Sequence, residues 1–167
     1  MESLLKEWNG ETTIIRYDQP TGAWIFIAIF STRLGPAGGG TRMKTYPDVQ
    51  SALQDAHRLA ESMTYKFALS GMPFGGGKTV ISIPDDLDSQ SRQALLRRYG
   101  EMIQKLGGLF YTGPDVGISS TDMDIISETG TPYVFGRTPE AGGAGSSGPA
   151  TALGVFSGMQ IACQHVW

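Results

Sequence analysis

Cysteine, clustered positive charge and long apolar runs are all scarce in this chain of 167 residues. The one cysteine, Cys163, has no partner within the chain, which excludes an internal disulfide framework and favours a reducing compartment. The net charge is −3 without a run of lysine or arginine, so we expect no nucleic-acid partner. The longest apolar stretch, Ala23 to Phe30, is too short for a membrane-spanning helix of roughly 20 residues. Since Met1-Glu2-Ser3 does not begin a signal peptide, the sequence predicts a cytoplasmic protein with no membrane partner.

The residue types that bind metals are also sparse and scattered. The acidic segment Asp85 to Asp88 has no histidine or second carboxylate cluster beside it, and is typical of a solvated turn before a helix. We expect His57 on a helix surface or at an interface, His165 in a last helical turn, and Cys163 buried as a small apolar side chain. No metal is therefore expected.

The apolar pattern predicts strands and helices in alternation. Thr12 to Tyr17 and Ala23 to Phe30 read as an antiparallel strand pair, and the second strand, apolar on both faces, as a buried one. The two strands together present more apolar surface than one small domain covers, which predicts self-association or an exposed apolar patch. The elements predicted after this pair are a helix from Asp48 to about Lys66, a strand from Lys78 to Ile83, a helix from Asp88 or Ser89 to about Leu106, a strand from Leu109 to Thr112, a short helix opening at Thr121, and a final helix from Pro149. This order predicts an α/β fold with a mixed β-sheet covered by helices in three layers.

Glycine is abundant and clustered. We interpret Gly35 to Gly40 and Gly71 to Gly77 as loops, and the Gly- and Ser-rich residues 136–149 as a hinge. The second loop ends like a Walker phosphate loop, but Met72 stands where that motif needs glycine, and the loop leads into a strand rather than a helix. We therefore do not expect this loop to bind a nucleoside triphosphate.

Three ionisable residues stand near these loops. Lys66 lies on the apolar stripe of its helix and should point inward or across the sheet edge. The alternative is a lysine in the last turn that the helix macrodipole favours and whose side chain extends to water. Lys78 opens a buried strand directly after three glycines, where a structural lysine and an amine held against a small ligand both fit. Asp115 follows the carboxyl end of a strand, where α/β sheets bind ligands, and an Asx turn is its structural alternative.

Two amines and one carboxylate suit an amino-acid substrate. One ammonium binds the substrate carboxylate. Burial and the nearby second charge lower the pKa of the other amine, so that it acts as a base near neutral pH. The aspartate transfers protons at the substrate nitrogen.

The glycine segments and the residues that follow them resemble the Glu/Leu/Phe/Val dehydrogenase family, and the leucine, phenylalanine and valine branch most. The resemblance runs in order through Gly35 to Met43, Met63 to Lys66, Gly75 to Val80, Asp115 to Gly117, Asp122 to Ile126 and Gly145 to Thr151. Met72 and Pro84 depart from the usual pattern, which puts the shape of the pocket in doubt but not the chemistry.

The resemblance implies specific roles for the site residues. It implies that Lys66 binds the substrate carboxylate, that Lys78 is the catalytic base, and that Asp115 assists proton transfer. The further residues that it implicates are Gly39, Gly40, Met63 and Pro114 in substrate binding and Thr151 near the nicotinamide.

As a whole, the resemblance implies an NAD-dependent, homo-oligomeric enzyme. The reaction is reversible oxidative deamination of a branched-chain or aromatic L-amino acid to a 2-oxo acid and ammonia. We expect a substrate-binding and oligomerisation domain over residues 1–135, the hinge over 136–149, and over 150–167 a helix that leads to a dinucleotide-binding domain.

No Gly-x-Gly-x-x-Gly fingerprint follows a strand, and the chain stops in mid-helix at Trp167. We therefore expect an incomplete chain that is nearly inactive alone and does not itself grip most of the NAD. The alternatives left open are a non-enzymatic oligomerisation or ligand-binding module and an enzyme specialised for tryptophan. The amino acid and the choice between NAD and NADP also stay open.

Overall fold

Strands and helices alternate along residues 2–166, the part of the chain that the structure, a computed structural model, describes. The strands are β1 (Thr12–Asp18), β2 (Ala23–Ser31), β3 (Ala37–Lys44), β4 (Gly75–Ser82) and β5 (Phe110–Pro114). The helices are α1 (Glu2–Glu7), α2 (Val49–Leu69), α3 (Ser89–Lys105), α4 (Ser120–Gly130) and α5 (Gly148–Val166). The expectations that rest on Met1 and Trp167 lie outside the described residues.

The five strands form one mixed sheet in the order β1-β2-β4-β3-β5. β2 pairs antiparallel with β1 and with β4, whereas β3 runs parallel to both β4 and β5. The predicted mixed sheet and the predicted antiparallel pair are confirmed. Side chains of β2 are buried on both faces of the sheet, which explains why its sequence is apolar at nearly every position.

Helices cover both faces of the sheet. Alternate side chains of β2 point to opposite faces, so that Phe26 and Ala28 pack with α2 while Ile25 and Ile27 pack with α3 and α4. The Asp48 side chain caps α2 by accepting a hydrogen bond from a backbone N–H of the first turn. The three-layer α/β fold predicted from the alternating pattern is confirmed.

Both glycine-rich segments were predicted as loops over their whole length, which is wrong for Ala37 to Gly40 and for Gly75 to Gly77, because these residues belong to strands β3 and β4. Glycine carries no side chain that shows the period of a strand, but it lets backbones approach closely. A Cβ atom on Gly39 would lie 1.8 Å from the Gly77 carbonyl oxygen, and one on Gly76 would lie 1.9 Å from Thr64 Oγ1 of α2. Lys78 is consequently the fourth residue of β4, and not the first.

Two single residues also differ from expectation. His57 is buried rather than on the surface, because its ring stacks on Trp8 at 3.9 Å between centroids and Nε2 contacts Thr13 Oγ1 at 2.9 Å. Burial lowers the pKa of His57 to about 4. Cys163 is exposed rather than buried, because none of the described residues of α5 is buried.

The segment between α4 and α5 contains no helix or strand between residues 135 and 147, and Gly136, Gly142 and Gly145 have positive φ angles there. Such angles require glycine and bend the chain sharply. The division into a domain over 1–135, a hinge over 136–149 and a helix over 150–167 stays a prediction.

Candidate functional site

Glycines form the floor of the candidate site on the face of the sheet that carries α2. The helix packs mainly on β2 and β4, which leaves part of β3 uncovered. Gly38 and Gly40 alternate with residues of the opposite face, and a Cβ atom on Gly38 would meet the ring of Phe67 in α2 at 3.0 Å. Gly38 is buried beneath this aromatic ring, whereas the backbone at Gly40 is only partly buried; we call the strip formed by Gly38 and Gly40 the glycine floor.

Lys78 reaches this floor from the neighbouring strand. It lies opposite Ala28 of β2 in the centre of the sheet, and its side chain is only 6% exposed. A Cβ atom on Gly40 would lie 3.1 Å from Lys78 Nζ. The amine thus lies over Gly40, and glycine at this position makes room for it.

Asp115 approaches the same point from the end of β5. Its carboxylate oxygen Oδ2 lies 3.1 Å from Lys78 Nζ and accepts a hydrogen bond from Arg42 Nε at 2.8 Å. The turn after Asp115 is attached to β3, because the backbone N–H of Met43 donates to the Val116 carbonyl at 2.9 Å. The side chain therefore contacts two cations, whereas the Asx turn considered as an alternative requires a bond to its own backbone.

A second group of polar residues, absent from the sequence-based prediction, surrounds Arg42. Its Nη1 donates to Asp55 Oδ2 of α2 at 3.0 Å, and the Tyr46 hydroxyl donates to the same oxygen at 2.7 Å. Arg42 lies two residues after Gly40 on β3. Recognition of β3 as a strand would therefore have placed Arg42 on the face of the glycine floor.

The charges of the site act on one another. Burial lowers the pKa of Lys78, and Arg42 adds to this effect, although Asp115 acts against it. Burial acts to raise the pKa of Asp115, but Lys78 and Arg42 outweigh it and hold this pKa below its usual value. The positive neighbour expected beside Lys78 was Lys66, and the structure has Arg42 in this place. The result is an ionised carboxylate beside an amine that loses its proton more readily than a surface lysine.

Lys66 lies at the border of the floor and not inside it. It follows Asp55 by 11 residues, about three helical turns, so it lies on the side of α2 that faces β3. Its side chain is exposed and not directed inward, which agrees with the alternative of a last-turn lysine that extends to water, and it forms no ion pair within residues 2–166. Met63, one turn earlier, is half-buried.

The remaining predicted residues divide into two groups. Pro114 lies at the site, because its carbonyl oxygen would be 2.9 Å from a Cβ atom on Gly40. Gly39 is buried against Gly77, which already explains the glycine there. Thr151 lies in the exposed first turn of α5, and its side chain makes no hydrogen bond to the described residues of the site. The structure thus joins Lys78, Asp115, Gly40 and Pro114, and leaves Thr151 apart.

Within residues 2–166, no three His, Cys, Asp or Glu side chains are grouped so that they could hold a metal ion. None of the described helices has the length and apolar character needed to cross a membrane.

Similar proteins include several amino-acid dehydrogenases. The leucine dehydrogenase of Geobacillus stearothermophilus is 44% identical over 163 residues, which are 98% of this chain and 44% of that protein. The valine dehydrogenase of Streptomyces albus is 42% identical over 158 residues, which are 94% of this chain and 42% of that protein. The chain therefore spans less than half the length of these relatives.

Solved structures of the same fold are also found among such enzymes. The crystal structure of L-tryptophan dehydrogenase from Nostoc punctiforme has a TM-score of 0.74 and 36% identity, and the match covers 100% of this chain and 45% of that one. A hetero-hexameric glutamate dehydrogenase from Thermus thermophilus has a TM-score of 0.74 at 24% identity over 99% of this chain and 46% of that one, a likeness of fold.

A sequence model of the family described as "Glu/Leu/Phe/Val dehydrogenase, dimerisation domain" matches residues 17–131. The match includes β2 to β5, the glycine floor, and the contact between Lys78 and Asp115. The family predicted from the motifs is confirmed: this chain belongs to the Glu/Leu/Phe/Val dehydrogenase family.

Proposed function

We propose that this chain is the N-terminal, substrate-binding part of an NAD-dependent L-amino-acid dehydrogenase that acts on branched-chain or aromatic amino acids. The observation that carries the proposal is the contact of the buried Lys78 amine with Asp115 above the glycine floor, in a chain of this family. The named relatives act on leucine, valine and tryptophan, which supports an apolar substrate side chain.

Lys78 has the properties of a general base. A lysine acts as a base only when it is neutral, and burial together with Arg42 lowers its pKa toward the pH of the reaction. Lys78 then accepts a proton from the water molecule that attacks the oxidised α-carbon of the substrate. Its position above bare backbone lets a small substrate approach the amine without meeting a side chain from β3.

Asp115 is suited to move protons at the substrate nitrogen. Its oxygen Oδ2 is occupied by Lys78 and Arg42, whereas Oδ1 makes no hydrogen bond to a described residue. Because the side chain is 24% exposed, Oδ1 is available to the amino group of a substrate. The ionised state of Asp115 also lets it accept a proton from an ammonium group.

Substrate binding is assigned to residues at the edges of the floor. The exposed ammonium of Lys66 binds the substrate carboxylate, since it is on the side of α2 toward β3 and is not engaged by a carboxylate of the described chain. The other residues proposed to contact the substrate are Gly39, Gly40, Met63 and Pro114.

The glycines of β4 are not placed to bind the phosphates of a dinucleotide. The glycines of β4 are buried, and Cβ atoms on Gly75 and Gly76 would both lie 1.9 Å from protein atoms, so phosphates cannot reach this backbone. When bound, NAD supplies the acceptor for the hydride that leaves the substrate α-carbon. We assign its binding mainly to residues outside this sequence and propose Thr151, exposed on α5, as a contact near the nicotinamide. A cytoplasmic location stays a prediction.

The test uses the full-length protein that contains this chain. Leucine, valine, phenylalanine and tryptophan are supplied with NAD⁺, and formation of NADH is followed by absorbance. We expect turnover of at least one of these amino acids, and its loss in Lys78→Ala but not in Lys105→Ala, an exposed lysine in the last turn of α3. A folded full-length protein without turnover of any amino acid contradicts the proposal.

A non-enzymatic oligomerisation or ligand-binding module is the second candidate, and one observation favours it. The matching sequence model describes a dimerisation domain. Amino-acid binding and self-association without turnover in the full-length protein would support this candidate.

A further inference from the structure

We propose that Arg42 is a positioning residue of this site, which holds Asp115 in place from an anchor formed by Asp55 and Tyr46. This inference rests on the proposed function, because it concerns the same carboxylate. Its first test, however, requires no enzymatic activity.

The guanidinium of Arg42 lies between two carboxylates. Its side chain is 18% exposed, Nε donates to Asp115 Oδ2 at 2.8 Å, and Nη1 donates to Asp55 Oδ2 at 3.0 Å. A guanidinium is planar and directs its N–H groups at fixed angles, so two such bonds determine its orientation. Because Asp55 fixes the orientation of the guanidinium, Arg42 holds the Asp115 carboxylate in a defined position relative to Asp55.

Asp55 is itself held firmly. Its side chain is 14% exposed, its Oδ2 accepts from the Tyr46 hydroxyl at 2.7 Å, and its Oδ1 accepts from Arg58 Nη2 at 2.7 Å. It lies in α2, whereas Arg42 lies in β3 and Asp115 follows β5. The chain of contacts therefore joins three elements across 73 residues of sequence between Arg42 and Asp115.

This arrangement determines which oxygen of Asp115 remains available. Arg42 and Lys78 both contact Oδ2, so rotation of the carboxylate would break two charge-assisted bonds. The carboxylate is consequently held with Oδ1 away from both cations. Without Arg42, Lys78 alone would hold Asp115, and the carboxylate could turn about a single contact.

Arg42 also affects the charge of Lys78. The groups that face the amine are Asp115 after β5, Arg42 of β3 and Asp55 of α2, whereas β2 carries no ionisable side chain. The Tyr46 hydroxyl is next to Asp55, and the exposed ends of Arg58 and Lys66 lie further out on α2. Arg42 shares the negative charge of Asp115 and adds its own positive charge, and both effects favour the neutral form of Lys78.

The first test measures the titration of Lys78 in this chain, one of five lysines, by NMR of the lysine ¹³Cε signals, assigned with Lys78→Arg. We expect Arg42→Gln to raise the pH at which Lys78 loses its proton. Arg58→Gln is the matched control, because it removes the same charge from the same partner, Asp55, without contact to Asp115. It should leave the Lys78 titration unchanged. Equal Lys78 titrations in the parent chain and in a folded Arg42→Gln chain overturn the inference.

Arg42→Lys serves as the conservative variant, and it also covers the case in which Arg42→Gln does not fold. It keeps the charge but lacks the planar pair of donors, so the Lys78 titration should stay close to that of the parent. In the full-length enzyme, its kcat should fall about 10²-fold because Asp115 is misplaced, with a smaller change in KM. A parent-like kcat in Arg42→Lys overturns the positioning role. Absence of activity in the parent enzyme refutes the proposed function, while the titration still decides the role of Arg42.

Discussion

At the scale of single residues, burial separates the contact of Lys78 and Asp115 from an ordinary surface ion pair. The pair Lys6 and Glu2 has an even shorter N–O distance, 2.7 Å, but both side chains are more than 70% exposed, and water screens such charges. Lys78 is 6% exposed, so its charged form lacks most of its hydration. The same two types of charge therefore form a buried contact with an amine of lowered pKa at one position and a weak surface contact at the other.

Replacement of Lys78 by alanine should abolish most turnover in the full-length enzyme. Loss of a general base lowers kcat by about 10²–10⁴-fold, and the affinity for the amino acid should change less. In the parent, kcat/KM for deamination should rise with pH, because the neutral form of Lys78 is the active one. Since the pKa of Lys78 is lowered, this rise should occur at a lower pH than the titration of a surface lysine. Steady-state kinetics across pH measures both effects. Retention of the parent rate and pH profile in Lys78→Ala would refute the assignment.

Replacement of Lys66 by alanine should have the opposite kinetic signature. A contact with the substrate carboxylate is present in the ground state and in the transition state, so its loss raises KM with little change in kcat. A charge-assisted hydrogen bond contributes about 1.5–3 kcal/mol, which corresponds to a rise in KM of roughly 10–10²-fold. Lys66→Arg should restore part of the affinity. A fall in kcat without a rise in KM would argue against carboxylate binding by Lys66.

The sequence indicated the types of the main site residues but not all of their environments. Lys78 and Asp115 were identifiable because each lies next to a glycine segment or a strand end. Arg42 was not, because its partners Asp55 and Asp115 come from elements that meet only in the folded sheet. Lys66 was expected to point inward, but in the last turn of α2 its long side chain reaches solvent.

At the scale of elements, β3 is the strand that forms the floor of the candidate site. Glycine is needed at two of its positions for different reasons. Gly39 packs against β4, whereas Gly40 leaves space for the ends of Lys78 and Asp115. Under the floor, the hydroxyl of Tyr99 in α3 contacts Thr41 at 2.7 Å and Thr79 at 2.8 Å. This buried hydroxyl group ties α3 to β3 and β4 and so supports the strands that carry the site.

Gly40→Ala should lower kcat by more than its loss of folding stability alone would cause. The new Cβ atom would lie 2.9 Å from both Asp115 Cβ and the Pro114 carbonyl oxygen and 3.1 Å from Lys78 Nζ. We expect a loss of about 1–3 kcal/mol in the free energy of unfolding, measured by urea denaturation, together with a fall in kcat.

Gly38→Ala on the same strand and face is the control. The atoms nearest to its Cβ would belong to the rings of Phe67 and Phe74, at 3.0 Å or more, and not to Lys78 or Asp115. Gly38→Ala should therefore lose stability but keep a kcat closer to that of the parent. If the two variants lose kcat equally, Gly40 has no special role in the site.

At the scale of the whole molecule, acidic pH should weaken the fold. Folding lowers the pKa values of Asp18, Asp55, Asp115 and Asp122 below the ordinary value of 3.8 through their contacts with cationic side chains and hydrogen-bond donors. Groups with a lowered pKa stabilise the protein fully above their unfolded pKa, and this stabilisation is lost as the pH falls. The free energy of unfolding should therefore decrease below about pH 5, as followed by circular dichroism in urea.

Asp18→Asn tests the contribution of one of these carboxylates to the pH dependence. Asp18 is buried and accepts two hydrogen bonds from Arg98 of α3, at 2.7 and 2.6 Å. The variant should lose about 1–3 kcal/mol at neutral pH and show a smaller dependence of stability on pH between about 5 and 3. Glu128→Gln, in an exposed ion pair with Arg97, should change little. An unchanged pH dependence in Asp18→Asn would contradict the role of this pair.

Self-association, expected from the apolar surface of β2 and its antiparallel neighbour, is best placed at β1. In the described residues β1 pairs only with β2, so its outer edge is open, and it exposes Ile15 and Tyr17. The match to a dimerisation domain supports association of this kind. Sedimentation should detect a dimer or larger species, and Ile15→Lys should weaken it, whereas Leu69→Lys at the exposed end of α2 should not. A parent chain that is monomeric at every concentration would contradict this expectation.

The sequence by itself determined the elements whose signals are local. Helices α2 and α3 were predicted to within a few residues because their apolar period and capping residues lie within the helix, and the strands β1 and β2 because a short turn joins them. Motifs in the sequence were also sufficient for the family. Only the tertiary structure decided the strand character of the glycine segments, the burial of His57, the exposure of Cys163 and the place of Arg42 beside Lys78. The physical reason is the same in each case: a glycine without a side chain, or a charge without a nearby partner in sequence, acquires its environment from residues that become neighbours only when the sheet forms.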